Sequence, residues 1–215
     1  MNEYECGLKL MYFGPVLTEK PVVSVAMITY NHQVFVQQAI KSVFAQYTDW
    51  PIELVIGEDC STDETLDAIT NICKDAPISI KIIKGLRNVG MHKNIRRVVD
   101  ACAGEFVAFL EGDDYWIDKN KLKKQVDALE ADKSLSFCFH RVRWEYLSDS
   151  IREEINISHG TAWPVSPPEI IDFQAIADDI FIQTASVVYR RVFLPSLPEW
   201  FEQLPGADWA IFLML

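Results

Sequence analysis

A chain of 215 residues is long enough for one large domain with a substantial core, or for one domain and an appendage. Its 49% hydrophobic and 24% charged residues exclude a disordered chain, and a formal net charge of −11 excludes a general grip on nucleic acid, which needs clustered Lys and Arg. Five cysteines (Cys6, Cys60, Cys73, Cys102 and Cys138), odd in number and with no Cys-x-x-Cys pair, argue for mostly buried thiols in a reduced cytosolic setting.

No basic region followed by an apolar core opens the chain, and no apolar run approaches the ~18 residues of a membrane span. Residues 1–20 show no clear period, and Gly14-Pro15 and Pro21 mark a lead-in arm before a domain over residues 21–215. Val22 to Tyr30 is β-branched and nearly all apolar, as suits a strand covered on both faces. Asn31 follows at a cap position, and Val34, Phe35, Ala39, Ile40, Val43 and Phe44 repeat at helical spacing to about Gln46. A second strand over Ile52–Ile56 runs into Glu58-Asp59, and Ser61-Thr62-Asp63 reads as the N-cap of a helix through Leu66, Ile69 and Ile72.

A third strand over Ile78–Ile83, a turn at Arg87-Asn88-Val89-Gly90 and a helix through Ile95, Val98, Val99 and Cys102 follow. Phe106 to Leu110 is the fourth apolar strand. Asp118 opens a helix carrying Leu122, Val126 and Leu129, and Leu135–Val142 reads as another strand. Residues 147–172 have no steady period and predict a long connection or insert; Phe173–Ile180 predicts a short helix and Thr184–Tyr189 a strand closed by Arg190-Arg191. The sequence stops at Leu215 inside an apolar helical pattern, where a domain does not usually end, so we expect a fragment of a longer chain. Four strand–helix units in succession predict an α/β fold, a mainly parallel sheet with helices on both faces.

The chemistry concentrates where the fourth strand ends. Glu111, Gly112, Asp113 and Asp114 leave it together, followed by Tyr115 and Trp116. Crowded carboxylates raise one another's pKa and are most easily tolerated around a cation; an oxygen-only donor set favours Mg²⁺ or Mn²⁺, which keep positions for water and substrate phosphates. The plain alternative is a solvated acidic turn. Its position counts against that, because ligands of open α/β sheets bind at the carboxyl ends of the strands. The four histidines, His32, His92, His140 and His159, match no metal spacing and read as structural or exposed. Arg87, Arg190 and Arg191 could face a phosphate, but lone basic residues are more often on the surface or in salt bridges.

Taken together, Val22-Val23-Ser24-Val25, Thr29-Tyr30-Asn31, Ser42-Val43-Phe44-Ala45-Gln46, Glu58-Asp59-Cys60-Ser61-Thr62-Asp63, Asn88-Val89-Gly90, Gly104-Glu105 and Leu110-Glu111-Gly112-Asp113-Asp114 resemble a family-2 inverting glycosyltransferase of the GT-A fold. The similarity is close from Pro21 to Trp116 and looser to Trp209. It implies a nucleotide-sugar site at the strand ends, with Thr29, Tyr30, Asn31, Glu58, Asp59, Asn88, Gly90, Glu111 and Asp114 on the donor. Asp113 and then Asp114 would hold Mn²⁺ or Mg²⁺, and Glu111 would make a ribose, sugar or water-mediated contact. Glu58 and Glu111 depart from the more usual Asp, which lengthens each carboxylate's reach by one methylene. Asp208, in Gly206-Ala207-Asp208-Trp209, matches the acceptor-side aspartate and is the candidate base; it can equally be a helix N-cap, and both roles can hold together. Tyr30 could stack on the nucleobase and Trp116 could wall the sugar pocket, or both could be packing residues.

The resemblance implies transfer of a sugar, with inversion, from a nucleoside-diphosphate sugar (a UDP-sugar first) to a saccharide or lipid-linked acceptor. The setting would be polysaccharide or glycoconjugate synthesis in the cytoplasm, compatible with peripheral contact at the inner membrane face. Residues 21–116 would form the donor half and 117–215 the acceptor side. Two rivals remain open at this stage: a nucleotide-sugar-binding module without transfer, and a nucleotidyltransferase. The last is weakened by Thr29-Tyr30-Asn31-His32 standing where a glycine-rich phosphate loop would be, and the same lack excludes a dinucleotide dehydrogenase.

Overall fold

The chain runs β1 (Lys9–Phe13), β2 (Val23–Thr29), α1 (Val36–Phe44), β3 (Ile52–Glu58), α2 (Thr65–Cys73), β4 (Ser79–Lys84), α3 (Met91–Ala101), β5 (Phe106–Glu111), α4 (Lys121–Ala131), β6 (Phe137–Cys138), α5 (Phe173–Asp178), β7 (Val188–Arg190) and α6 (Ala207–Met214). Single 3-10 turns cover Thr184–Ser186 and Glu199–Gln203. The structure is a computed structural model that describes residues 8–145, 170–178, 181–204 and 206–215; most of the connection expected over 147–172 lies outside the described residues, as does Cys6.

β2, β3, β4 and β5 are parallel, in the order β4-β3-β2-β5. Alternate side chains of these strands point to opposite faces, and both faces are covered, which is why they read as unbroken apolar runs. On one face Val25, Met27, Leu54 and Ile56 pack with Ile40 and Val43 of α1, Ile69 of α2 and Leu122 of α4. On the other, Ala26, Val55 and Phe109 pack with Ile95 and Val98 of α3 and Ile211 and Phe212 of α6. Each fully buried Val, Leu or Ile contributes roughly 1.5–3 kcal/mol, so this sandwich dominates stability.

Three antiparallel strands extend the sheet: β1 outside β4, and β7 then β6 outside β5. Within the expected arm, β1 turns Met11 and Phe13 toward the core and leaves Leu10 and Tyr12 exposed; its all-apolar run hid that alternation. The strand expected over Leu135–Val142 shrinks to Phe137–Cys138, because the three-residue β7 offers partners only at Tyr189 and Val188. Thr184–Tyr189, expected as one strand, begins instead as a 3-10 turn, closed by the Ser186 amide and hydroxyl both donating to the Gln183 carbonyl at 2.9 and 2.6 Å. Local hydrogen bonding by Ser overrides strand propensity there.

Two helix starts also move. Asp118 precedes α4: its carboxylate accepts from the Asn120 amide and from Lys124, and its carbonyl from the Lys121 amide. Helix α2 begins at Thr65 with no side-chain cap on its N-cap residue Glu64. Among the described residues no helix is long and apolar enough to cross a membrane. Four cysteines there are free thiols, and burial pushes Cys73 and Cys102 up to about 12.

Candidate active site

The parallel register brings two acidic strand ends to one edge. Thr29 lies opposite Glu58, and Ile28 opposite Glu111, so β2 separates the two strand ends by two strand spacings, roughly 10 Å between backbones. Beyond these ends, the loops are tied together by side chains that accept backbone amides.

Asn31 has a φ of 56°, a left-handed conformation that Asn tolerates. Its amide donates to Ser61 Oγ at 3.0 Å, and its Oδ1 accepts from the Thr62 amide at 2.8 Å. Asp63 accepts from the amides of Gln33 and Thr65 and from the Thr65 hydroxyl; burial alone would raise its pKa, but these hydrogen bonds together outweigh it and lower the pKa. The expected capping triad therefore staples the loop after β2 to the loop after β3. Cys60, between Asp59 and Ser61, is also left-handed, with a φ of 59°.

Glu58 is fully buried; Oε1 accepts from the Ser61 amide at 2.6 Å, and Oε2 has no hydrogen-bond partner. Asp59, 2% exposed, accepts from the Val89 and Gly90 amides at 3.0 and 2.9 Å and from Arg97 Nη2 at 3.3 Å. Burial raises its pKa, and those hydrogen bonds and the guanidinium partly offset the rise. Asp59 thus holds the loop that carries Asn88 and Gly90, where Asn88 Oδ1 accepts the Gly90 amide at 2.9 Å. Tyr30 is exposed beside this edge, as are Asn88 and Arg87.

Two residues of this region escaped sequence reasoning. Arg97 of α3 donates through Nη2 to the Glu58 carbonyl at 2.9 Å as well as to Asp59, and its Nε donates to Asn94 Oδ1 at 2.8 Å. Asn94 Nδ2 in turn donates to the Gly57 carbonyl at 2.9 Å. A Cβ on Gly57 would fall 2.2 Å from Asn94 Oδ1, so glycine is what lets α3 come this close.

The second acidic group lines a groove of about 1110 Å³ that includes Glu111, Asp113, Asp114, Trp116, Lys121, Thr184 and Asp208. Burial first, then Asp113, Asp114 and Asp208, push Glu111 up to about 7. Asp114 keeps solvent access yet is raised to about 6 by the surrounding protein and by Asp113. Asp113 is half exposed, with His32 Nδ1 3.7 Å from its Oδ1. Thr29 Oγ1 and His32 Nδ1 are buried next to Gly112 without hydrogen-bond partners.

Asp208 sits in the first turn of α6, where Gly206 is the N-cap residue and makes no side-chain cap; the Asp208 carboxylate accepts the Thr184 hydroxyl at 3.2 Å. Trp116 is buried, its Nε1 donating to the Ala185 carbonyl at 2.9 Å. Arg190 is buried in bonds to Glu130 and the carbonyls of Leu129 and Leu135, a structural role. His140, read from sequence as structural or exposed, lines the groove. Among the described residues, no three His, Cys, Asp or Glu side chains are grouped so that they could hold a metal ion.

A mainly parallel α/β sheet with acids gathered at the carboxyl ends of its strands places its chemistry where open α/β sheets bind their ligands. The model of glycosyl transferase family 2 matches residues 24–194, and the chain belongs to that family. An uncharacterized protein of Mycobacterium tuberculosis is 35% identical over 186 residues, 86% of this chain and 51% of its own length. The UDP-Glc:alpha-D-GlcNAc-diphosphoundecaprenol beta-1,3-glucosyltransferase WfaP of Escherichia coli is 27% identical over 197 residues, 89% of this chain and 69% of its own. The mannosyltransferase PcManGT of Pyrobaculum calidifontis, solved with GDP-Man and Mn²⁺, shares the fold at a TM-score of 0.63 and 18% identity, over 89% of this chain and 51% of its own. The chain spans about half the length of the mycobacterial relative.

Proposed function

We propose that the chain carries the catalytic site of an inverting glycosyltransferase that moves a sugar from a nucleoside-diphosphate donor, a UDP-sugar first, to a hydroxyl of a saccharide or lipid-linked acceptor. Residues 21–116 supply the donor half and 117–215 the acceptor side, in a cytoplasmic protein compatible with peripheral contact at the inner membrane face. The observation that carries this is the set of four carboxylates, Glu111, Asp113, Asp114 and Asp208, lining one groove. The non-catalytic alternative, a donor-binding module, leaves Asp208 and its place in that groove without a use.

The donor set fits a hard divalent cation. Glu111 and Asp114 are driven up by their surroundings and their neighbours' charges, a state a cation relieves, and Mg²⁺ or Mn²⁺ is commonly bound by one or two carboxylates plus substrate phosphates. Asp113 and Asp114 would hold it. When bound, such an ion neutralises charge on a leaving diphosphate. The buried, unpartnered Glu58 Oε2 suits a donor hydroxyl or N–H, and Asp59 keeps the 88–90 loop in place beside it.

Asp208 takes the proton of the acceptor hydroxyl, oriented by the Thr184 hydroxyl on its Oδ2. The acceptor oxygen forms its bond to the anomeric carbon from the face opposite the leaving diphosphate, and the sugar–phosphate bond breaks with its electron pair going to that diphosphate. Inversion follows from that geometry.

Asp208→Asn in the full-length protein tests this directly, with product followed on polyprenyl-diphosphate-linked saccharide acceptors. General-base loss should lower turnover by about 10²–10⁴-fold while nucleotide-sugar affinity stays within about twofold. Turnover within a few-fold of wild type would remove Asp208 from the mechanism.

A further inference from the structure

The same groove also holds basic side chains. Lys121, Lys124, Arg141 and Arg143 line it together with Asp118 and Glu145, and Lys124 is held by Asp118 at 2.8 Å, on a chain whose net charge is −11. The central group is Lys121 of α4, only 4% exposed. Its ammonium donates to Gln125 Oε1 at 2.7 Å and lies 4.3 Å from the centroid of the Trp116 ring. Among the described residues Lys121 forms no ion pair. An ammonium has three protons to give, and a buried one without a counter-charge is costly.

The surroundings are fixed around that charge. Gln125 Nε2 donates to the Ser186 and Cys138 carbonyls at 2.8 and 3.1 Å, which turns its oxygen toward the lysine. A glutamate at 125 would neutralise Lys121; the neutral amide leaves the charge to be met from elsewhere. With the Trp116 N–H spent on Ala185, the ring turns its face to the ammonium. His140 Nδ1 lies 2.8 Å from the Arg141 carbonyl, so that nitrogen carries the proton, and the buried Nε2 has no partner. Burial pushes Lys121 down to about 7, a shift that an arriving anion would reverse.

The geometry points to an anion subsite at Lys121, with Arg143 lining the same groove, that receives a phosphate group carried by the acceptor. This rests on the glycosyl-transfer function proposed above, which meets the donor diphosphate at Asp113 and Asp114. The cations come from the stretch after Trp116, and Trp116 itself is bonded to Ala185, the neighbour of the Thr184 that donates to Asp208. The acceptor class is then a phosphate or diphosphate ester rather than a neutral oligosaccharide.

Titration calorimetry with inorganic pyrophosphate in EDTA separates this subsite from a metal-dependent donor site. Wild type should bind. Lys121→Met, which refills the stem volume without charge, should weaken binding by at least about 10-fold. Arg143→Glu, at an exposed position where folding is not at stake, should weaken it several-fold. Both variants should bind UDP with Mn²⁺ within about twofold of wild type. Absence of pyrophosphate binding in wild type, or equal binding in both variants, overturns the subsite. An equal loss of UDP–Mn²⁺ affinity overturns its assignment to the acceptor and gives the anion to the donor. Pyrophosphate bound through Lys121 by a protein that ignores UDP with Mn²⁺ upholds the anion subsite and refutes the donor site.

Discussion

Gly112 shows what a residue-level reading of sequence catches and what it misses. Its place among acids marks a tight turn, but the reason for glycine is crowding: an added Cβ would lie 2.6 Å from Thr29 Oγ1 and 2.8 Å from His32 Nδ1. The acids themselves are legible because polar residues abruptly end an apolar run. Their titration is not, because it depends on burial that only the fold creates. Glu111 rises from 4.5 to about 7 without a bound cation. The folded state therefore favours the protonated acid, and the stability this group contributes is full below pH about 4.5 and lost as pH rises through about 7. In EDTA, wild type should lose melting temperature relative to Glu111→Gln between pH 5 and 8, and Mn²⁺ should shrink that difference. Parallel pH profiles in EDTA would contradict the assignment.

Among the elements, the four parallel strands and their helices announce themselves through apolar periodicity. β1 does not, and β6 and β7 are announced only as longer strands, over Leu135–Val142 and Thr184–Tyr189, because the distant antiparallel partners that limit them are invisible locally. Helix α3 is intermediate. Its stripe of Ile95, Val98 and Val99 predicts the helix, but Asn94 and Arg97 look like an ordinary solvated face. One signal was available: three residues apart, they share a face bordering the apolar stripe. That face reaches under β3, where Arg97 is the counter-ion of the nearly buried Asp59. Removing one partner of a buried pair strands the other's charge, and the amides of Val89 and Gly90 offset only part of that cost. Arg97→Met should therefore destabilise the fold by about 2–3 kcal/mol in urea unfolding and weaken nucleoside binding. Lys123→Met, which loses the exposed pair with Asp127, should cost under about 1 kcal/mol. Equal, small losses from both would leave Asp59 held by its loop amides alone.

For the whole molecule, the parallel order β4-β3-β2-β5 does the functional assembly, carrying Glu58 and Glu111 to one edge from sequence positions 53 residues apart. That convergence is legible once four strand–helix units are counted, since parallel strands share a carboxyl end. The rest of the groove is not: Lys121, His140 and Asp208 are brought to it by α4, the stretch after β6 and α6, whose contacts no local pattern encodes. The central claim is that the edge holds a nucleoside diphosphate through a divalent cation at Asp113 and Asp114. Calorimetric titration of UDP and GDP, in Mn²⁺ and in EDTA, with wild type and Asp113→Ala, tests it most directly. At least one nucleotide should bind wild type at least about 10-fold more tightly in Mn²⁺ than in EDTA, and Asp113→Ala should bind weakly in both. Equal wild-type affinity in Mn²⁺ and EDTA would contradict the claim.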